Sequence, residues 1–293
     1  MELFQGSAVA LVTPFAGGKV DIPALHKLVN FQIDNGTSAI IACGTTGEPA
    51  TMTAEEQMLV VTETIRAAKG RIPIVAGTGS NCTQSVIHTA TQYQDLGCAA
   101  QLVVTPYYNK TTSEGMYRHF MEIAEHTTLP IIIYNVPSRT VLDISPEVLN
   151  RLAECSAFIG LKESSYNLPY VMEKILVLSG RIPVYSGNDD MIAPLMALGA
   201  KGVISVLANI MPKETAEIAN GYLSGNAPAA LDLQLRLIPL IKALFTEVNP
   251  VPCKAAMEML GLCGGELRLP LVAISENAKA QLSKAMAEAG FVL

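Results

Sequence analysis

The sequence predicts a (β/α)₈ TIM barrel followed by a C-terminal helical extension. Eight short runs of residues are apolar on both faces, as parallel strands covered on both sides must be. Helical patterns lie between them, so the strands start roughly every 20 to 35 residues, about one βα unit each. The chain has 293 residues, enough for a barrel of about 250 with some length left over.

The runs are Ala8 to Thr13, Ser38 to Cys43, Ile72 to Thr78, Gln101 to Thr105, Pro130 to Asn135, Phe158 to Lys162, Ile182 to Gly187 and Gly202 to Val206. Several are closed by Pro or Gly, which end strands. Asp21 is placed to cap a helix that carries Leu25, Leu28, Val29 and Ile33 on one face. Thr53 to Glu56 reads as a capping box opening a helix through Val60, Val61 and Ile65. Ser145 and Pro146 read as an N-cap with proline at the first helical position. Asn35-Gly36, Lys69-Gly70 and Gly97 mark helix ends. An open doubly wound sheet is the alternative. It calls for a complete Gly-rich dinucleotide turn, and Gly77-Thr78-Gly79 is only a fragment of one.

The eighth unit should end near Gly225, so residues 1–225 are expected to form the catalytic barrel. Residues 226–293 then form the extension, with helices expected over 227–244, 252–260 and 276–289.

Half of the residues are apolar and the net charge is -6, without blocks of one sign. A basic face for nucleic acid is missing, so no nucleic-acid partner is expected. No apolar run approaches the roughly 20 residues of a membrane helix, and no signal peptide is read at the start. A cytoplasmic protein is expected. The six cysteines contain no C-x-x-C pair and the four histidines show no zinc-binding spacing, so free thiols and no metal are expected.

In a barrel the chemistry gathers at the C-terminal strand ends. There the chain places Gly44-Thr45-Thr46-Gly47-Glu48, Thr78-Gly79, Tyr107-Tyr108-Asn109, Tyr134-Asn135 with Arg139, Lys162, Gly187-Asn188-Asp189 and Ser205. Lys162 ends an apolar strand. An ammonium there is costly unless paired or neutralised, and a neutral lysine forms Schiff bases with ketones. The plain alternative is a lysine that snorkels outward or pairs with Glu163. The two glycines and two hydroxyls after strand two suit a small anion nest for a carboxylate, or a polar turn. Tyr134 can shuttle protons if its phenol meets a hydroxyl such as that of Thr46, or it can simply pack. Arg139 suits a second carboxylate, or is a surface arginine.

Gly44 to Glu48, Thr105 to Asn109, Tyr134 to Thr140 and Gly160 to Glu163 together resemble the dihydrodipicolinate synthases of the pyruvate-dependent Schiff-base aldolase superfamily. The resemblance extends into the tail, through Asn249 to Pro252 and Leu267 to Pro270. It implies condensation of pyruvate with aspartate 4-semialdehyde, in diaminopimelate and lysine biosynthesis, with no cofactor. Carried over by position, Lys162 forms the imine, and Tyr134, Thr46 and Tyr108 form a proton relay, Tyr108 reaching into a neighbouring subunit. Thr45 and Thr46 hold the pyruvate carboxylate, Arg139 receives the second carboxylate, and Gly187 and Ile204 line the pocket near the lysine. A homotetramer built as a dimer of dimers is implied. Arg139 favours the synthase over the related lyases for N-acetylneuraminate or 2-keto-3-deoxy sugar acids. A barrel that binds pyruvate without catalysis is the alternative of another class. Lysine-inhibited members carry histidines and a glutamate around an allosteric pocket. Here Ala54, Gln57 and Ser85 stand at those positions and Pro49 replaces a small polar residue, while Asn81 and Tyr107 remain. Insensitivity to lysine, or weak sensitivity, is therefore expected.

Overall fold

The computed structural model describes residues 2–292. Eight parallel strands close into a barrel: β1 (Gly6–Ala10), β2 (Ala39–Ala42), β3 (Ile74–Gly77), β4 (Ala100–Val104), β5 (Ile131–Asn135), β6 (Phe158–Glu163), β7 (Val184–Ser186) and β8 (Gly202–Ser205). Each strand pairs with the next in sequence, and β8 closes on β1 with Ala8 opposite Ile204. Closure leaves no barrel edge unpaired.

Side chains alternate between two cores, as strand geometry requires. Inward residues such as Ala8, Ile41, Val75, Leu102, Ile132, Ile159 and Ile204 fill the barrel. The N-terminal segment plugs its lower mouth. Phe4 stacks on Tyr185 with ring centres 4.3 Å apart, and the Tyr185 hydroxyl donates to the Phe4 carbonyl at 2.9 Å. Outward residues meet the helices in larger clusters.

The helix signals work as the residues suggest. Asp21 accepts from the Ala24 N–H, Thr53 and Glu56 form the reciprocal capping box, and Ser145 accepts from the Val148 N–H. The first strand differs from expectation. It starts at Gly6 and ends at Ala10, yet Leu11 to Thr13 are as buried as any strand. Those three residues run on above the barrel. The Val12 N–H donates to the Asn209 side chain and Thr13 donates to the Gly47 carbonyl. Leu11 still donates to the Ile41 carbonyl of β2, and beyond it Val12 and Thr13 owe their burial to loops rather than to the ladder. A small hairpin, Phe15–Ala16 with Lys19–Val20, follows and was not anticipated.

The tail forms helices at Ala227–Ala243, Val251–Met259 and Glu276–Glu288. Leu240, Leu244, Met257, Leu282 and Met286 belong to the same apolar cluster as barrel and helix residues such as Val9 and Leu28. No helix of the described residues is long and apolar enough to cross a membrane.

Candidate active site

β5 and β6 pair with Tyr134 opposite Lys162 and Asn135 opposite Glu163. Alternation turns the first pair inward and the second outward. Lys162 is 5% exposed, and its Nζ lies 4.3 Å from the Tyr134 ring centre. No carboxylate pairs with it among the described residues. Glu163 is spent elsewhere, on the outer face. It accepts from Lys174 Nζ at 2.9 Å, from Asn135 Nδ2 at 2.8 and 3.1 Å, and from the Ser165 N–H at 2.7 Å. Lys174, fully buried, also donates to Asp143. Burial pushes the Glu163 carboxyl upward, and Lys174 opposes that push. This network fastens the tips of β5 and β6 from behind, leaving Lys162 free inside.

The loop after β2 is a tight turn, Thr45–Gly47. Its second glycine serves space rather than positive φ. Gly44 is extended, and a Cβ on Gly47 would lie 3.2 Å from the Leu11 carbonyl and 3.2 Å from Thr13 Oγ1. The left-handed residues are Cys43, at φ 53°, and Glu48, at φ 57°. Thr46 is buried, and its hydroxyl accepts from Asn249 Nδ2 at 3.0 Å. Among the described residues no hydrogen bond joins this hydroxyl to the Tyr134 phenol, although its own proton remains available to donate. Thr45 is half-buried.

Glu48 turns towards the tail, where Lys254 Nζ donates to it at 2.6 Å. Both side chains are buried. Beside them Arg268 makes two 2.6 Å bonds to Glu56, one to each carboxylate oxygen. Those bonds hold the Glu56 carboxyl down at about 2.

Arg139 lies on a short helix, Pro137–Thr140, above β5, and donates to the Asn249 carbonyl at 3.2 Å. Gly187 follows β7. A Cβ there would overlap Ser164 Oγ and come within 3.0 Å of Lys162 Cε. Ile204 is fully buried in the barrel interior beside β1. Tyr108 stands apart: it is 91% exposed, with φ 65° and no side-chain hydrogen bond among the described residues. A cavity of about 570 Å³ opens at this end, lined by Thr45, Tyr134, Arg139, Tyr107, Gln57 and Asn249 among others. Lys162, Thr46, Gly187 and Ile204 do not line it.

Two groups had no assigned role in the sequence. Asn249 joins Thr46 to Arg139; the only hint was its place in the tail motif. Asp189 is buried at the end of β7. It accepts from Ser205 Oγ at 2.5 Å and from the N–H groups of Val206 and Leu207 at 3.1 and 2.8 Å. Burial raises its carboxyl, and those hydrogen bonds work against the rise. It ties the Gly187 loop to the tip of β8.

A model of the Dihydrodipicolinate synthetase family matches residues 3–289. The chain belongs to this family. It is 48% identical to a 4-hydroxy-tetrahydrodipicolinate synthase of Caldicellulosiruptor bescii, over 99% of this chain and 98% of that one. Among solved structures, the dihydrodipicolinate synthase of Thermotoga maritima superposes with a TM-score of 0.97 at 39% identity, covering 99% of each chain. That of Aquifex aeolicus gives 0.95 at 44% identity, covering 98% of each. The dihydrodipicolinate synthase likeness thus spans barrel and tail together, and the chain is an enzyme of this class.

Proposed function

We propose that the chain is a 4-hydroxy-tetrahydrodipicolinate synthase. It condenses pyruvate with L-aspartate 4-semialdehyde through a Schiff base on Lys162, on the route to diaminopimelate and lysine. The observation that carries the reading is a buried lysine at the tip of β6 with no salt-bridged carboxylate among the described residues, faced by a tyrosine on the adjacent strand.

In its neutral form the Lys162 amine attacks the pyruvate ketone to give a carbinolamine. Loss of water gives an iminium, and the positive nitrogen draws electrons so that a C3 proton can leave. The resulting enamine carbon attacks the aldehyde. The amine of the semialdehyde then displaces Lys162 and closes the ring, freeing the lysine. Tyr134 supplies and removes protons for the water-loss step, with Thr46 and a neighbouring subunit's copy of Tyr108 completing the relay. Thr45 and Thr46 hold the pyruvate carboxylate. Arg139, on the cavity wall, receives the second carboxylate. Gly187 leaves room for the lysine, and Ile204 closes the floor. The reaction runs without metal or organic cofactor.

In this reading residues 226–293 extend the barrel of residues 1–225, and the shared apolar cluster supports a tail packed against the barrel. The exposed Tyr108 supports a homo-oligomer, read as a tetramer of two dimers. The enzyme acts in the cytoplasm.

Borohydride reduction in the presence of pyruvate, followed by peptide mass spectrometry, tests the reading. One added three-carbon unit on Lys162 is expected; an unlabelled Lys162 would remove every aldolase reading. Assays of condensation against cleavage of N-acetylneuraminate or 2-keto-3-deoxy sugar acids identify the second substrate. Arg139→Ala should raise the semialdehyde KM at least tenfold while pyruvate labelling persists.

A further inference from the structure

Lys174 and Lys254 are the lysines that the described chain buries completely. Lys174 braces β5 and β6. Lys254 comes from the tail helix Val251–Met259, far from any strand in sequence. A buried ion pair is weak support for stability, since an apolar pair of the same volume does as well. Its place in the fold points to a use of its geometry.

The geometry concerns the loop after β2. Glu48 is the left-handed residue that closes the Thr45–Gly47 turn. Its carboxylate is gripped by Lys254 at 2.6 Å and approached by the Arg268 N–H at 3.5 Å. Lys254 is itself held. It donates to the Glu266 carbonyl at 2.7 Å and stands 4.2 Å from the Phe15 ring centre. Just before the same helix, Asn249 donates to Thr46. One rigid tail element thus grips the loop twice, at Thr46 and at Glu48, with one residue between.

We propose that Lys254 is a positioning residue for pyruvate. Through Glu48 it fixes the turn so that Thr45 and Thr46 present to a small carboxylate. The tail is then part of the substrate site. This rests on the function proposed above, in which those threonines receive the pyruvate carboxylate. Without the pair, the turn keeps its sequence but loses its second anchor, and pyruvate has to order it on binding.

The test uses the full-length protein and graded pyruvate, with borohydride trapping on Lys162 as the readout alongside steady-state kinetics and melting temperature. The double variant Glu48→Gln/Lys254→Met removes both charges at similar volume. We expect its half-saturating pyruvate for labelling to rise about tenfold or more, with the semialdehyde KM changing less than about twofold. A folded double variant with unchanged pyruvate saturation and only a lower melting temperature would overturn the proposal, because it would make the pair structural alone. Should the double variant fail to fold, Glu48→Gln decides, since it keeps an acceptor for Lys254. A rise of about threefold supports the proposal, and no rise overturns it. A wild-type protein that pyruvate never labels would instead overturn the function itself, and this role with it.

Discussion

Tyr134 and Lys162 face each other across a parallel strand pair, with Lys162 Nζ 4.3 Å from the centre of the ring. Contact with the ring and chemistry at the phenol are separable. Tyr134→Phe keeps the ring against Lys162 and removes the hydroxyl alone. General acid–base help of this kind is worth about 10² to 10⁴ in rate. The variant should lose roughly 10²-fold or more in kcat with little change in melting temperature. A variant within a factor of three of wild type would show that another group moves the proton.

Gly187 is a matter of space. Its φ is not in the left-handed region, yet a Cβ would collide with Ser164 Oγ and crowd Lys162 Cε and the Glu163 carbonyl. Overpacking of this sort costs about 1–3 kcal/mol. Gly187→Ala should reduce pyruvate labelling of Lys162 sharply. Adding Ser164→Ala, which removes the nearest atom, should recover part of it. Full labelling in the single variant would mean that the backbone there yields easily.

His119 makes stability depend on pH. Its ring is buried, with Nδ1 at 2.9 Å from Thr83 Oγ1, and burial lowers its pKa to about 4 from 6.5. The folded state therefore binds fewer protons than the unfolded chain between those values. Its contribution is complete above pH 6.5 and is lost as the pH falls towards 4. Unfolding in urea from pH 7 to pH 4 should show a slope that His119→Gln flattens, worth at most about 3 kcal/mol across the window. Identical slopes would assign the acid sensitivity to other groups.

Lysine should inhibit weakly or not at all. Gln57 commits its amide to the Pro49 and Met52 carbonyls at 2.9 and 3.4 Å. Ala54 and Ser85 bring no charge to that region. A cationic amino acid would lack a charged partner worth roughly 1.5–3 kcal/mol. Steady-state rates at up to about 1 mM lysine should match those without it; inhibition below that concentration would contradict the reading.

The barrel was legible because eight runs without alternation and their punctuating Gly, Pro and cap residues all point to one fold. The candidate site was legible where a polar group ends an apolar strand, as at Tyr134 and Lys162. It was not legible where a side chain arrives from far along the chain. Nothing near Lys254 announces Glu48, which lies more than 200 positions away, and Asn249 reaches Thr46 over a similar span. Asp189 stood at the correct rim, but only the folded backbone reveals that the N–H groups of Val206 and Leu207 turn towards it. The shift of β1 has the same origin: hydrophobicity reports burial, and burial continues past the ladder.

Phe15 has two cations against its ring, with Lys254 at 4.2 Å and Arg268 at 4.3 Å from the ring centre. Arg268 also donates to the Gly18 and Thr51 carbonyls. The opening loops of the chain are thus locked by residues that a ribosome adds near the end of synthesis. A nascent chain stalled before Lys254 would hold eight strands but an unlatched rim, with Phe15 lacking both of its cationic neighbours. Protease nicking around residues 15–20 should therefore persist in such stalled chains and fade once residue 268 has emerged. Early fading would place the latch elsewhere.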